Sequence, residues 1–192
     1  MKRRLTRWPL AMLAAGLTLV LPCRAQPRVN EGSAILQTFG EAVTAYVKLR
    51  STADSGLVPL RKGNKKGNIL DHQRQLAERV RQSRADAKPG DIFTPVVAEE
   101  MRRLLGLAMQ GGNAARVHAS LRSAEPAPAA LRINASFPEK LPMQSTPPTL
   151  LLNLPRLPPE IEYRLVGRTL VLRDSAANIV IDFMANALAA RP

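Results

Sequence analysis

Apolar residues in the front half of the chain recur at three- and four-residue spacing. Ile35, Phe39, Ala42, Val43, Tyr46 and Val47 fall on one side of a helical turn, and Gln37, Glu41 and Lys48 on the other. This predicts an amphipathic helix capped by Ser33 and ending near Arg50. Gly56, Pro59, Gly63 and Gly67 break the pattern and predict a loop over 51–67. A second helix is expected to open at Asn68, with Asp71 placed to reach back to the cap, and to run to about Ala87. Its stripe of Ile69, Leu76 and Val80 is narrow, as on a helix that packs against one neighbour and leaves the rest of its circumference in water. Lys88-Pro89-Gly90 stops it.

The third segment has two possible caps, Asp91, or Thr94 with Pro95 at the first helical position, where the missing N–H is not needed. Val96, Val97, Met101, Leu104, Leu105 and Ala108 form the strongest helical stripe in the chain. Gly111-Gly112 ends it, and Asn113 is placed to cap a short fourth helix through Val117 and Leu121 to about Ser123. From Pro126 to Pro159 nine prolines preclude a long helix. In that stretch Leu131, Ile133 and Ala135 alternate with polar residues as in a short strand, and Leu150-Leu151-Leu152 fits a buried strand or one helical turn. Period-two patterning returns at the end. Tyr163 and Leu165, Leu170 and Leu172, and Ile179 and Ile181 mark three strands joined by Gly167-Arg168 and by Asp174 to Asn178, connections of hairpin length.

The expected architecture is α+β: N-terminal antiparallel helices packed on a small C-terminal antiparallel β-meander, whose apolar face needs such a cover. By segment, 1–25 reads as a signal peptide, 26–125 as a helical half, 126–160 as a proline-rich connector and 161–192 as the meander. Residues 26–192 are long enough to bury one core and read as one domain.

The first 25 residues change the picture of where the protein works. Lys2, Arg3, Arg4 and Arg7 form a basic start, Pro9 to Leu21 is an apolar run too short to span a hydrocarbon core, and Cys23-Arg24-Ala25 sets small side chains at the cleavage positions. Cleavage between Ala25 and Gln26 is expected, which makes the protein periplasmic or secreted, with no transmembrane segment after processing. The alternatives are lipidation at Cys23, where the preceding Val20-Leu21-Pro22 is a poor fit, or retention as an anchor. Cleavage also removes the one cysteine, and with it disulfide and thiol chemistry.

The chain carries a net charge of +13, of which the leader's five basic residues account for part, leaving +8 on the processed chain. The densest cluster is Arg61, Lys62, Lys65 and Lys66, a candidate anion-binding group that also reads as a charged linker. An exported basic protein is expected to meet an envelope protein or an anionic polymer of membrane or wall, and not nucleic acid.

No motif assembles a catalytic set. His72 and His118 sit on separate helices without a metal-ligand spacing. There is no Gly-x-Ser-x-Gly elbow, and Gly63-Asn64-Lys65-Lys66-Gly67 lacks P-loop spacing. Asp91, Asp174 and Asp182, with Arg164, are acids and a base near element ends that a hydrolase could use, while Asp174 to Asn178 also fits an ordinary strand connection. No cofactor is implied.

The run Arg84-Ala85-Asp86-Ala87-Lys88-Pro89-Gly90-Asp91-Ile92-Phe93-Thr94-Pro95, with Tyr163 to Arg168, Leu170 to Asp174 and Ala177 to Phe183, resembles a family of uncharacterised exported bacterial proteins. That resemblance extends over nearly all of residues 26–192 and implies export and a single fold, with no activity and no functional residues to carry over. The functional expectation is a non-catalytic binding or interaction module, with a carboxylate hydrolase or an anionic-surface attachment protein as the alternatives.

Overall fold

In the computed structural model, residues 28–60, 63, 65–110, 114, 115, 119, 131–138 and 148–188 are described. Among the described residues the elements run in order: helices α1 (Arg28–Ser55), α2 (Lys66–Ser83), α3 (Pro95–Ala108) and α4 (Pro148–Leu151), then strands β1 (Ile161–Val166), β2 (Thr169–Asp174) and β3 (Ile179–Met184). The arrangement is α+β, with the three long helices in the front half and the sheet at the end. No helix among the described residues is long and apolar enough to cross a membrane. Residues 1–25, which read as a signal peptide in the sequence, lie outside the described residues.

α1 is longer than its apolar stripe suggested. It is already helical at Arg28, so Ser33 is an interior residue and not a cap, and it continues to Ser55. Leu57 N–H then bonds Asp54 O, closing the last turn. α1 has no basic residue in its own last turn. Arg79 of α2 supplies one, its guanidinium donating to Ala53 O at 3.3 Å, where the unpaired carbonyls concentrate negative charge.

α2 opens at Lys66, two residues before the expected Asn68, and Lys65 caps it without a side-chain hydrogen bond. Asp71 bonds forward to Arg74 instead of back to the start, so no capping box forms. The helix ends at Ser83, short of Ala87. Its buried stripe is Leu76, Ala77 and Val80; Ile69 stays on the surface.

Of the two starts proposed for α3, Thr94 is the cap: its hydroxyl accepts Val97 N–H, with Pro95 at the first position. Asp91 instead accepts Lys88 N–H and shapes the preceding turn. Val97, Met101, Leu104 and Leu105 are buried as expected, whereas Val96 points to solvent. Ala114, Ala115 and Ala119 are helical, but Asn113, Val117, Leu121 and Ser123 of the expected fourth helix lie outside the described residues. Leu150 and Leu151 lie in the helical turn of α4, with Leu150 buried, and Leu152 follows it exposed.

The meander forms in order β1-β2-β3, antiparallel throughout. Gly167 takes a φ of 59° in the first turn and Asn178 one of 52° in the second, the left-handed backbone that glycine and asparagine tolerate best. Residues 131–135 do not form the expected strand. Asn134 turns at φ 62°, and the chain runs along the outer edge of β3 through Asn134 N–H to Val180 O, Val180 N–H to Ala135 O and a bridge between Ser136 and Ile179. An otherwise open strand edge is covered there.

One apolar core joins these parts. Phe39, Val43 and Tyr46 of α1 meet Leu76 and Val80 of α2, Met101 and Leu105 of α3, and Tyr163, Leu170, Leu172, Ile179 and Ile181 of the sheet. Phe39 lies at the centre, stacked at 5.8 Å on Phe93 and at 6.4 Å on Tyr163. Gly32 lets α1 approach α3, since a Cβ there would stand 3.2 Å from Glu100 Oε1. Glu100 itself is buried and held by Arg103 through two bonds of 2.7 Å, which depress its carboxyl below the usual range.

Candidate functional site

The polar groups with most chemical potential gather where the helices meet the sheet. Asp174 ends β2 in phase with Leu170 and Leu172, so its side chain enters the core, where it is fully buried. Its Oδ2 accepts the Tyr46 hydroxyl at 2.8 Å and Arg50 Nε at 3.1 Å, and Oδ1 accepts Ala177 N–H at 2.8 Å. Burial first, then the neighbouring carboxylate, push the Tyr46 phenol far above its usual range.

Asp182 reaches the core by a different device. β2 and β3 pair Leu172 with Asp182 and Arg173 with Val180, leaving Ile181 as the extra residue of a bulge. Strict alternation would turn Asp182 away from the side that Ile181 faces; the bulge lets both turn inward. The fully buried carboxylate then accepts four backbone N–H groups: Gly90 and Phe183 on Oδ1, Ile92 and Phe93 on Oδ2, at 2.7 to 2.9 Å.

Arg84 closes the cluster from the end of α2. Its guanidinium bonds Asn134 Oδ1 at 2.9 Å and Ile181 O at 3.2 Å, and lies 5.1 Å above the Tyr46 ring. Asn134 returns a bond from its amide to Arg84 O at 2.7 Å. Desolvation lowers the Arg84 pKa, and Tyr46, Asp182 and Asp91 act against it. The segment Arg84 to Phe93 and the meander therefore meet in one structural knot: the first supplies the guanidinium and the amides, and the second supplies the carboxylates.

The four residues on which a carboxylate hydrolase depends do not converge on one cleft. Asp174 and Asp182 are sealed and engaged, Asp91 is exposed in a turn, and Arg164 lies on the opposite face of the sheet, bonded to Glu162 at 2.7 Å. Glu162 also takes Arg173, whose guanidinium covers the Phe137 ring at 4.9 Å. His72 Nε2 stands 3.0 Å from Asp54 Oδ1 of α1, at ion-pair distance but off the hydrogen-bond direction. That neighbour is invisible to sequence spacing. His118 lies outside the described residues, and among these no group of three metal-ligating side chains occurs.

Of the candidate anion group, Lys65 and Lys66 are exposed at the start of α2, while Arg61 and Lys62 lie outside the described residues. Beside Leu70 a groove of about 990 Å³ runs between α2 and the 136–138 segment, lined by Arg74, Arg81, Phe137 and Pro138 among others. A second, of about 850 Å³, separates the start of α1 from α3 and carries Glu31, Glu99 and Arg103.

No protein-family model, curated protein or solved structure matches the chain.

Tyr46, Arg84 and Asn134 carry no local signal of a site. In sequence Tyr46 reads as an apolar position of α1, and the signal that singles out Asn134 is its place between Ile133 and Ala135, where a strand would not choose asparagine.

Proposed function

We propose that the protein is exported and works at the cell envelope as a non-catalytic binding module. The observation that carries this reading is the state of Asp174 and Asp182: both are fully buried and occupied in holding helices to sheet, so the carboxylates best suited to acid–base work are taken up by the fold. What the surface offers instead is charge and grooves, with exposed Lys65 and Lys66 and the α2 groove close together along one helix. The basic start, short apolar run and small residues before Gln26 support export, and the resemblance to exported bacterial proteins agrees with it.

Two measurements test the proposal. The mass of the chain recovered from envelope fractions is expected to correspond to a start at Gln26; an acylated start at Cys23 would replace the soluble exported form with a lipid-anchored one. Crosslinking in intact cells followed by capture is expected to retain an envelope protein or an anionic polymer. Recovery of neither above background, or hydrolytic turnover by the purified chain, would sink the binding reading.

A further inference from the structure

The corner between α1 and α2 combines two features that a soluble surface rarely shows together. Val58 is 84% exposed and Leu60 45% within the connector between α1 and α2, and Ile69 is 46% and Leu70 41% exposed near the start of α2, which follows it. Between Asp54 and Asp71 the chain has no acidic residue, and Lys65 and Lys66 stand exposed within that span; Arg61 and Lys62, outside the described residues, add to the same stretch of sequence. Of the flanking acids, Asp71 pairs with Arg74, and Asp54 stands 3.0 Å from His72.

The first turn of α2 follows the connector directly, and His72 just beyond it stands 3.0 Å from Asp54 in the last turn of α1, so Ile69 and Leu70 lie close to the end of α1. A corner that carries exposed apolar and basic side chains together is suited to the boundary between lipid headgroups and acyl chains: apolar side chains enter while lysines remain among anionic headgroups.

We propose that the α1–α2 corner docks on an anionic lipid bilayer, with Val58, Leu60, Ile69 and Leu70 entering the interface and Lys65 and Lys66 contacting the headgroups. This rests on the binding reading and gives it a partner. Lipid is favoured over a soluble polyanion because the polymer would leave the four apolar side chains in water, whereas the bilayer removes them from it. A basic residue near an anionic membrane is worth roughly five-fold in partition, so two lysines alone give weak attachment and the apolar contacts are needed for retention.

The test uses the chain as recovered from exporting cells, its N-terminus read by mass, and sedimentation with two kinds of vesicle: phosphatidylcholine alone, and phosphatidylcholine with roughly a quarter phosphatidylglycerol. Binding is expected to the second and not the first, and to weaken in roughly 0.5 M salt. The pair Val58→Asp/Leu60→Asp and the pair Lys65→Glu/Lys66→Glu are each expected to lower partition at least about ten-fold with the unfolding midpoint unchanged, since these side chains are exposed. Absence of binding, or binding that neither pair alters, overturns the proposal. So does loss with the lysine pair alone together with competition by soluble polyphosphate, which would reassign the corner to a polyanion. Vesicle binding involves neither export nor a protein partner, so a negative result here leaves the crosslinking test of the broader reading standing.

Discussion

Tyr46 and Asp174 are 128 residues apart in the chain and meet at 2.8 Å, phenol to carboxylate, in the core. One comes from the middle of the first helix and the other from the end of the second strand, so the contact exists only when the two halves are assembled. A buried carboxylate with a phenol, a guanidinium and an amide as donors is satisfied, and each donor taken away weakens that hold.

Asp174→Ala should therefore cost about 3–5 kcal/mol, because it leaves Arg50 and the Tyr46 hydroxyl without their acceptor in a buried site. Tyr46→Phe should cost less, about 1–2 kcal/mol, since Arg50 and Ala177 still hold the carboxylate. Urea unfolding of both single variants and the double variant should show a double-mutant loss smaller than the sum. Additive losses would mean that the two groups do not interact in solution.

Alkaline titration offers a second check. The chain has two tyrosines, Tyr46 and Tyr163, and burial raises both phenols above their ordinary value of about 10. Absorbance of tyrosinate should therefore not rise through that range while the protein is folded, and should appear together with unfolding. A phenol whose folded pKa is raised contributes stability that is intact below about pH 10 and is lost as pH climbs above it, because only the unfolded chain then ionises. Stability measured by urea should accordingly decline above that pH, and Tyr46→Phe should reduce the slope. Normal tyrosine titration with the far-UV signal unchanged would contradict the burial.

Asp182→Asn tests whether the carboxylate is a clamp. Each oxygen accepts two N–H groups, so either orientation of an amide sets its NH₂ against two donors. The isosteric change should cost about 2–4 kcal/mol and raise hydrogen exchange at Ile92 and Phe93 before the rest of the core. A near-neutral effect would remove Asp182 from its place as the tie between the 88–93 turn and the sheet.

Gly90→Ala should cost about 1–2 kcal/mol, measured by thermal or urea unfolding. Gly90 has φ 90°, and a Cβ would meet only Phe93 O at an ordinary 3.6 Å, so the penalty is conformational and not steric. Its N–H must stay aimed at Asp182, which prevents the turn from relaxing to a cheaper conformation.

Period-two spacing from Tyr163 to Ile181 fixes the three strands and their order, and the helical stripes of Phe39, Val43 and Tyr46 and of Met101, Leu104 and Leu105 fix which helix faces turn inward. Ends were less legible. α1 extends past Ser33 and Arg50, and α2 starts before Asn68, because helix ends follow packing and available donors as much as local residue type. The 131–135 segment alternates like a strand yet turns at Asn134, because Arg84 and Val180 offer it better hydrogen bonds than an extended path would.

By itself, the sequence determined the α+β class and the meander, matters of local periodicity and turn chemistry that neighbouring residues decide, and it narrowed the start of α3 to Asp91 or Thr94. Only the tertiary structure decided what the aspartates do. Asp174 is separated from Tyr46 by most of the chain, and a single-residue bulge at Ile181 sets the direction of Asp182. In a strand of period two, one inserted residue reverses every later side chain, so no reading of spacing alone could have turned Asp182 inward to the amides of Ile92 and Phe93.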